Sequence, residues 1–263
     1  MISSHVPDVS RREFVRAGLA ALAATATVGC GGVTQPAAQQ GPGSARLSAR
    51  PGTPTGSPTL GESPLGLGAP RDGWLYVPST YDTQTPTPLL VLLHGATGAA
   101  DNWLNYQARG EASGVIILAI DSRDRTWDII QTRFSHDIAF MDSALGQTFG
   151  LCNIDPTRLA LGGFSDGASY ALSVGLSNGD LFSHVVAFSP GFVITPTRAG
   201  LPRVYISHGD ADTILPVNLS RDDIVPDLRA DGYDVTFDNF DGPHTVPPEV
   251  ADRAFEWLLG MGA

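Results

Sequence analysis

The run Leu159-Ala160-Leu161-Gly162-Gly163-Phe164-Ser165-Asp166-Gly167 constrains this chain more than any other stretch. An apolar, strand-like segment passes into Gly-x-Ser-x-Gly and then into small residues of helical character, Ala168 to Gly175. A chain that turns so sharply from strand to helix lifts the serine out of the sheet, and glycines remove the Cβ clashes around it. In a chain with 30 glycines the five-residue pattern could arise by chance, so its flanks give it meaning. Ser165 is the candidate nucleophile, and the dipole of the helix behind it favours negative charge close by.

The surrounding chain repeats the same strand-then-helix logic. Short apolar, β-branched runs at Leu75 to Val77, Leu89 to Leu93, Val115 to Ile120, Leu159 to Gly162, Val185 to Ser189, Val204 to Ser207 and Val235 to Phe240 read as strands. Most lack polar alternation, which suits strands buried on both faces. Ile138, Met141, Leu145 and Phe149 recur at helical spacing, and Pro248 opens a final helix with an apolar stripe at Val250, Ala254, Phe255, Trp257 and Leu258. The expected fold class is α/β, a mostly parallel sheet flanked by helices. Little sequence separates Ser189 from Val204, so the domain should be compact, without a large lid, and its site open.

Residues 1–70 read differently. Ser10-Arg11-Arg12-Glu13-Phe14-Val15-Arg16 followed by the apolar run Ala17 to Val28 is the pattern of a twin-arginine signal peptide, too short and too mildly apolar for a membrane span. Val28-Gly29-Cys30-Gly31 resembles a bacterial lipobox, with Thr27 where leucine is usual. The expected location is therefore extracytoplasmic, either released or anchored by lipid on Cys30. Cys152 would then have no disulfide partner and reads as a small buried side chain. Residues 31–70, dense in Gly, Pro, Ser, Thr, Ala and Gln, read as a disordered tether, and residues 71–263 as one catalytic domain. A formal charge of -11 disfavours partnership with nucleic acid or an anionic membrane surface.

A serine needs a base, and the base needs a group to orient it. Downstream candidates are His208-Gly209-Asp210-Ala211-Asp212, after the strand Val204 to Ser207, and Asp241-Gly242-Pro243-His244, after the strand Val235 to Phe240. Both lie past the carboxyl ends of strands, where sheets of this type carry their sites. No histidine pair has the spacing of a zinc site, and neither metal nor cofactor is expected.

With these residues in place the chain after Pro70 resembles the α/β-hydrolase superfamily, in particular the carboxylesterase/phospholipase group and the related secreted feruloyl-esterase and polyhydroxyalkanoate-depolymerase-like enzymes. The resemblance implies Asp212, not Asp210, as triad acid and His244 as base, with His94 and His208 structural. It also implies an oxyanion loop at His94-Gly95-Ala96-Thr97-Gly98, whose Ala96 N–H would act with that of Asp166. Trp103 and Trp127 follow loops at the same edge, and each could wall a substrate pocket or simply pack. The implied activity is carboxylic-ester hydrolysis on a small or polymeric substrate. Polyester depolymerase, feruloyl esterase, lysophospholipase and thioesterase remain alternatives within enzymes, and a tethered binding module outside them.

Overall fold

The computed structural model describes residues 43–68, 70–195 and 197–261. The expected signal peptide, Cys30 and residues 31–42 of the expected tether lie outside the described residues.

Eight strands form one sheet in the order β1-β2-β4-β3-β5-β6-β7-β8. They are β1 (Gly61–Pro64), β2 (Gly73–Val77), β3 (Thr87–Leu93), β4 (Ile116–Ile120), β5 (Ile154–Phe164), β6 (His184–Phe188), β7 (Arg203–Gly209) and β8 (Val235–Phe240). The β1–β2 and β2–β4 pairs are antiparallel, and all pairs from β4 to β8 are parallel. This is the mostly parallel, helix-flanked sheet expected from the sequence.

Continuous apolar runs form these strands because both faces are covered. Leu89, Val91, Leu93, Ile116, Leu118 and Ile120 pack against the helix His136–Leu151, while Leu90, Leu92, Ile117 and Ala119 pack on the other side with the helix Pro248–Leu259. Successive side chains point to opposite faces, so a strand that feeds two apolar layers has no polar positions to spare. The register levels the carboxyl ends: Leu93 pairs with both Ile120 and Gly163, Phe164 with Phe188, and Gly209 with Phe240. Every loop that follows β3 to β8 therefore emerges along one edge.

Two elements differ from expectation. Strand β5 begins at Ile154, earlier than Leu159, because Asp155 to Arg158 extend it as a polar, partly exposed ribbon. The larger correction concerns the tether and the domain boundary at residue 71. Residues 43–68 belong to the folded unit, with Ala45, Leu47 and Leu65 buried and β1 added to the sheet edge. The buried Asn178 amide accepts from the Leu47 N–H at 2.9 Å and donates to the Ala45 carbonyl at 2.7 Å. Asp142 accepts from the N–H groups of Ser48 and Ala49 at 2.7 and 2.8 Å, and Arg46 makes a forked pair with Asp180 at 2.7 Å. A segment poor in large apolar residues is ordered here because remote side chains meet its backbone polar groups.

Candidate active site

Ser165 sits between β5 and the helix Asp166–Ser177 with φ 57° and ψ -118°, outside the regions open to a relaxed L-residue. Such a conformation costs on the order of 1–3 kcal/mol and persists only where its surroundings fix it. The Ser165 N–H donates to the Phe188 carbonyl at 2.9 Å, and its carbonyl accepts from Ser169 N–H at 3.0 Å. A Cβ on Gly163 would collide with the Gly167 backbone and one on Gly167 with the Leu93 and His94 carbonyls, which is the steric reason for both glycines of the motif. Ser165 is 9% exposed, so its hydroxyl lies in a recess and not on an open turn.

That hydroxyl is 2.9 Å from His244 Nε2, and His244 Nδ1 is 2.5 Å from Asp212 Oδ2. Asp212 Oδ1 accepts from the N–H groups of Ile214 and Leu215, each at 2.8 Å. Burial by itself would raise the Asp212 carboxyl, but the bonds from His244, Leu215 and Ile214 outweigh it and hold the group below its ordinary value. The carboxylate is thus stably charged beside the imidazole. Asp210 lies exposed in the same turn, where it accepts from the Gly242 N–H at 3.4 Å, and Asp241 is exposed in the next loop.

His208 shapes this loop, as expected, and does more. Its Nδ1 meets the Ser220 hydroxyl at 2.7 Å, while Nε2 meets the Leu215 carbonyl at 2.6 Å and Asp212 Oδ2 at 3.2 Å. Burial lowers its pKa, only partly offset by the Leu215 carbonyl and Asp212, so the ring is neutral and donates from Nε2. Phe164, within the serine motif, was not singled out from sequence, yet its ring lies 4.7 Å from that of His244 and buttresses it.

The loop after β3 is held from below. His94 is fully buried, its Nδ1 2.7 Å from the Gly95 carbonyl and its Nε2 accepting from the Ser122 N–H at 3.0 Å. Burial lowers the His94 pKa against the Gly95 hydrogen bond, which keeps it neutral. Arg71 donates to the carbonyls of Gly98 at 2.6 Å and Ser122 at 2.7 Å. Above it, the N–H groups of Ala96 and Asp166 donate to no acceptor among the described residues.

A cleft of about 450 Å³ opens over this loop, bounded by Gly95, Ala96, Trp103, Phe164, His244 and Val246. Trp103 thus stands at its wall. Trp127 does not: it is fully buried, stacks on Tyr170 at 5.0 Å and donates to the His94 carbonyl at 2.9 Å, which corrects the reading of it as a pocket wall. A second hollow, about 650 Å³, lies by residues 50–54, 83–86 and 153–156 and holds none of the candidate residues. Among the described residues no group of His, Cys, Asp and Glu could hold a metal ion.

An eight-stranded sheet of this order, with a serine at the strand-to-helix turn and the acid and histidine on the following loops, is an α/β-hydrolase fold. The chain belongs to the phospholipase/carboxylesterase family, whose model matches residues 118–254. It is similar to the protein named Probable feruloyl esterase C from Aspergillus niger, 27% identical over 156 residues that make up 56% of each chain. The chain spans about half the length of the curated relatives it matches. Among solved structures it resembles esterase PE8, with a TM-score of 0.60 at 22% identity over 73% of this chain and 99% of that one. The carboxylesterase of Bacillus cereus aligns with a TM-score of 0.57 at 19% identity, covering 74% and 96%.

Proposed function

We propose that the protein is a serine carboxylic-ester hydrolase that works through an acyl-enzyme on Ser165. The observation that carries this reading is the unbroken hydrogen-bonded chain from Ser165 Oγ through His244 to Asp212 at the wall of an open cleft. In this reading Ser165 attacks the ester carbonyl while His244 Nε2 takes its proton, and Asp212 orients and stabilises the imidazolium. His244 then returns the proton to the departing alcohol, and water, activated by the same base, releases the acid. The N–H groups of Ala96 and Asp166 stabilise the tetrahedral oxyanion, a role in which one lost donor costs about 3 kcal/mol.

The Aspergillus niger relative, named as a feruloyl esterase, makes a feruloyl ester the first substrate to try, and Trp103 offers an aromatic wall for it. Lysophospholipid, thioester and polyester substrates form the comparison panel. The arginine pair and the apolar run after it support action outside the cytoplasm, and secretion of active protein that stops on Arg11→Lys with Arg12→Lys would check this.

The decisive variant is Ser165→Ala. Its lost oxygen has His244 as its hydrogen-bond partner, so stability should stay close to that of the parent. Hydrolysis of p-nitrophenyl butyrate should fall by several powers of ten, and fluorophosphonate labelling should vanish. Parental rates in clean variant protein would end the proposal, and a parent that neither turns over nor labels would favour a binding module.

A further inference from the structure

Four consecutive residues, Arg125 to Asp128, run between the loop after β3 and the serine helix, the two segments that carry the oxyanion donors. Each bonds to one of them. The Arg125 carbonyl accepts from the Thr97 N–H at 2.6 Å, one residue beyond Ala96. The Thr126 hydroxyl donates to the Asp166 carboxylate at 2.6 Å. The Trp127 indole donates to the His94 carbonyl at 2.9 Å, and Asp128 accepts from the Tyr170 phenol at 3.1 Å, one turn along the helix from Asp166. The ties alternate between the loop after β3 and the serine helix, as a chain with Trp127 in extended conformation allows.

This strut is itself fixed. Asp137, buried at the start of the helix His136–Leu151, accepts from the N–H groups of Arg123 at 2.6 Å and Asp128 at 2.7 Å, bracketing it. Asp128 in turn accepts from the N–H groups of Ser135 and Asp137 at 2.6 and 3.1 Å. The loop it braces needs a brace: Ala96 and Thr97 are exposed, Thr97 has φ 60°, and glycines flank them.

We propose that Thr126 is a positioning residue for the oxyanion hole, its bond to Asp166 fixing the donor after the serine against the Ala96 donor that the Arg125 carbonyl anchors. The proposal rests on the ester-hydrolase reading. Two backbone donors on separate segments act together only if their separation is set before the reaction, since hydrogen bonds weaken steeply with misalignment. At 2.6 Å, against 3.1 Å for the Tyr170–Asp128 bond, the Thr126 bond is the shorter of the two ties to the serine side.

The test uses the purified full chain and a matched pair of substrates, an oxoester and its thionoester. Sulfur accepts hydrogen bonds weakly, so the thionoester draws little on the oxyanion hole. Thr126→Val keeps the side chain's shape and should lower kcat for the oxoester about tenfold, a fraction of the loss from deleting a donor outright, with KM within about twofold. Thionoester turnover should hardly change, and Thr126→Ser should restore the oxoester rate. Trp127→Phe keeps the stacked ring but loses the tie to His94, and should shift the oxo-to-thiono ratio in the same direction by about threefold. An unchanged oxoester kcat in Thr126→Val, or equal losses on both esters, would overturn the proposal. A parent that hydrolyses esters alongside an unaffected Thr126→Val ends the strut alone, whereas an inert parent ends the ester-hydrolase reading beneath it.

Discussion

Residues 94–98 and residues 43–50 are both irregular chain pinned to the same folded unit, but they are pinned by different means. The first is set by its strand, by close backbone approaches to Phe164 and Ser165, and by a buried histidine one residue before the turn. The second is held by Asn178, Asp142 and Asp180, side chains roughly a hundred residues away in sequence. The difference separates two kinds of requirement. A segment that must aim donors at one point obeys tight steric rules, and those rules write glycines and strand ends into the sequence. A segment that must only dock can use any amide or carboxylate that meets its backbone. Changes at the first region should cost activity with little stability, and changes at the second the reverse.

The largest effect expected within this comparison is at the acid. Asp212→Asn should lower kcat by about 10⁴, because an amide cannot hold His244 in the tautomer that accepts the serine proton. Asp210→Asn should leave kcat within about twofold, the ordinary scale for an exposed polar change. Steady-state hydrolysis of p-nitrophenyl butyrate by both variants measures this. Equal losses would move the acid to Asp210 and undo the claim that the geometry of this edge is specific to single residues.

The same distinction explains what could be read in advance. The sheet was legible because strands buried on both faces leave unbroken apolar runs, and Leu89 to Leu93 and Val185 to Phe188 show this directly. The serine motif was legible because its glycines answer collisions within a few residues of chain. The roles of the tryptophans were not. Trp103 and Trp127 occupy equivalent places after active-edge loops, and only the position of Tyr170 and the His94 carbonyl decides that Trp127 is interior. Thr126 and Asp137 were likewise silent, because a hydroxyl or carboxylate that braces a remote backbone group carries no local spacing rule. Strand β1, four residues of mixed polarity at a sheet edge, has no periodic pattern long enough to detect.

An intermediate effect is expected at the docked segment. Asn178 is fully buried and its side chain makes three bonds, to Leu47, Ala45 and Val174. Asn178→Ala leaves those backbone groups without partners and should destabilise the fold by about 2 kcal/mol. In a domain of this size that lowers Tm by about 4–8 °C. Turnover per folded molecule, measured well below the transition, should match the parent. A lowered kcat at unchanged folded fraction would mean that the two regions are coupled.

The smallest effect is electrostatic and is read by acid titration of stability. The Asp180 carboxyl is held down to about 2, first by its hydrogen bond from Arg46 and then by the charges of Arg46 and Arg50, against the opposing effect of burial. Its unfolded counterpart titrates at about 3.9, so between those values the unfolded chain binds the extra proton and stability falls as pH drops from about 4 to about 2. The pair is about two-fifths exposed on both sides, so solvent and salt screen it, and the contribution should stay below about 1 kcal/mol. Asp137, on the catalytic side, has the opposite sign. Burial raises it to about 6, so the native state takes up its proton first, and its contribution is full below about 4 and is lost as pH rises through 6. Because the two windows do not overlap, denaturant melts at pH 7, 5, 4 and 2.5 separate them. Asp180→Asn should flatten only the acid limb, and added salt should shrink that limb in the parent. A variant whose stability keeps the parental slope below pH 4 would show that the forked pair with Arg46 contributes nothing to docking, leaving the amide of Asn178 and the carboxylate of Asp142 to hold the segment.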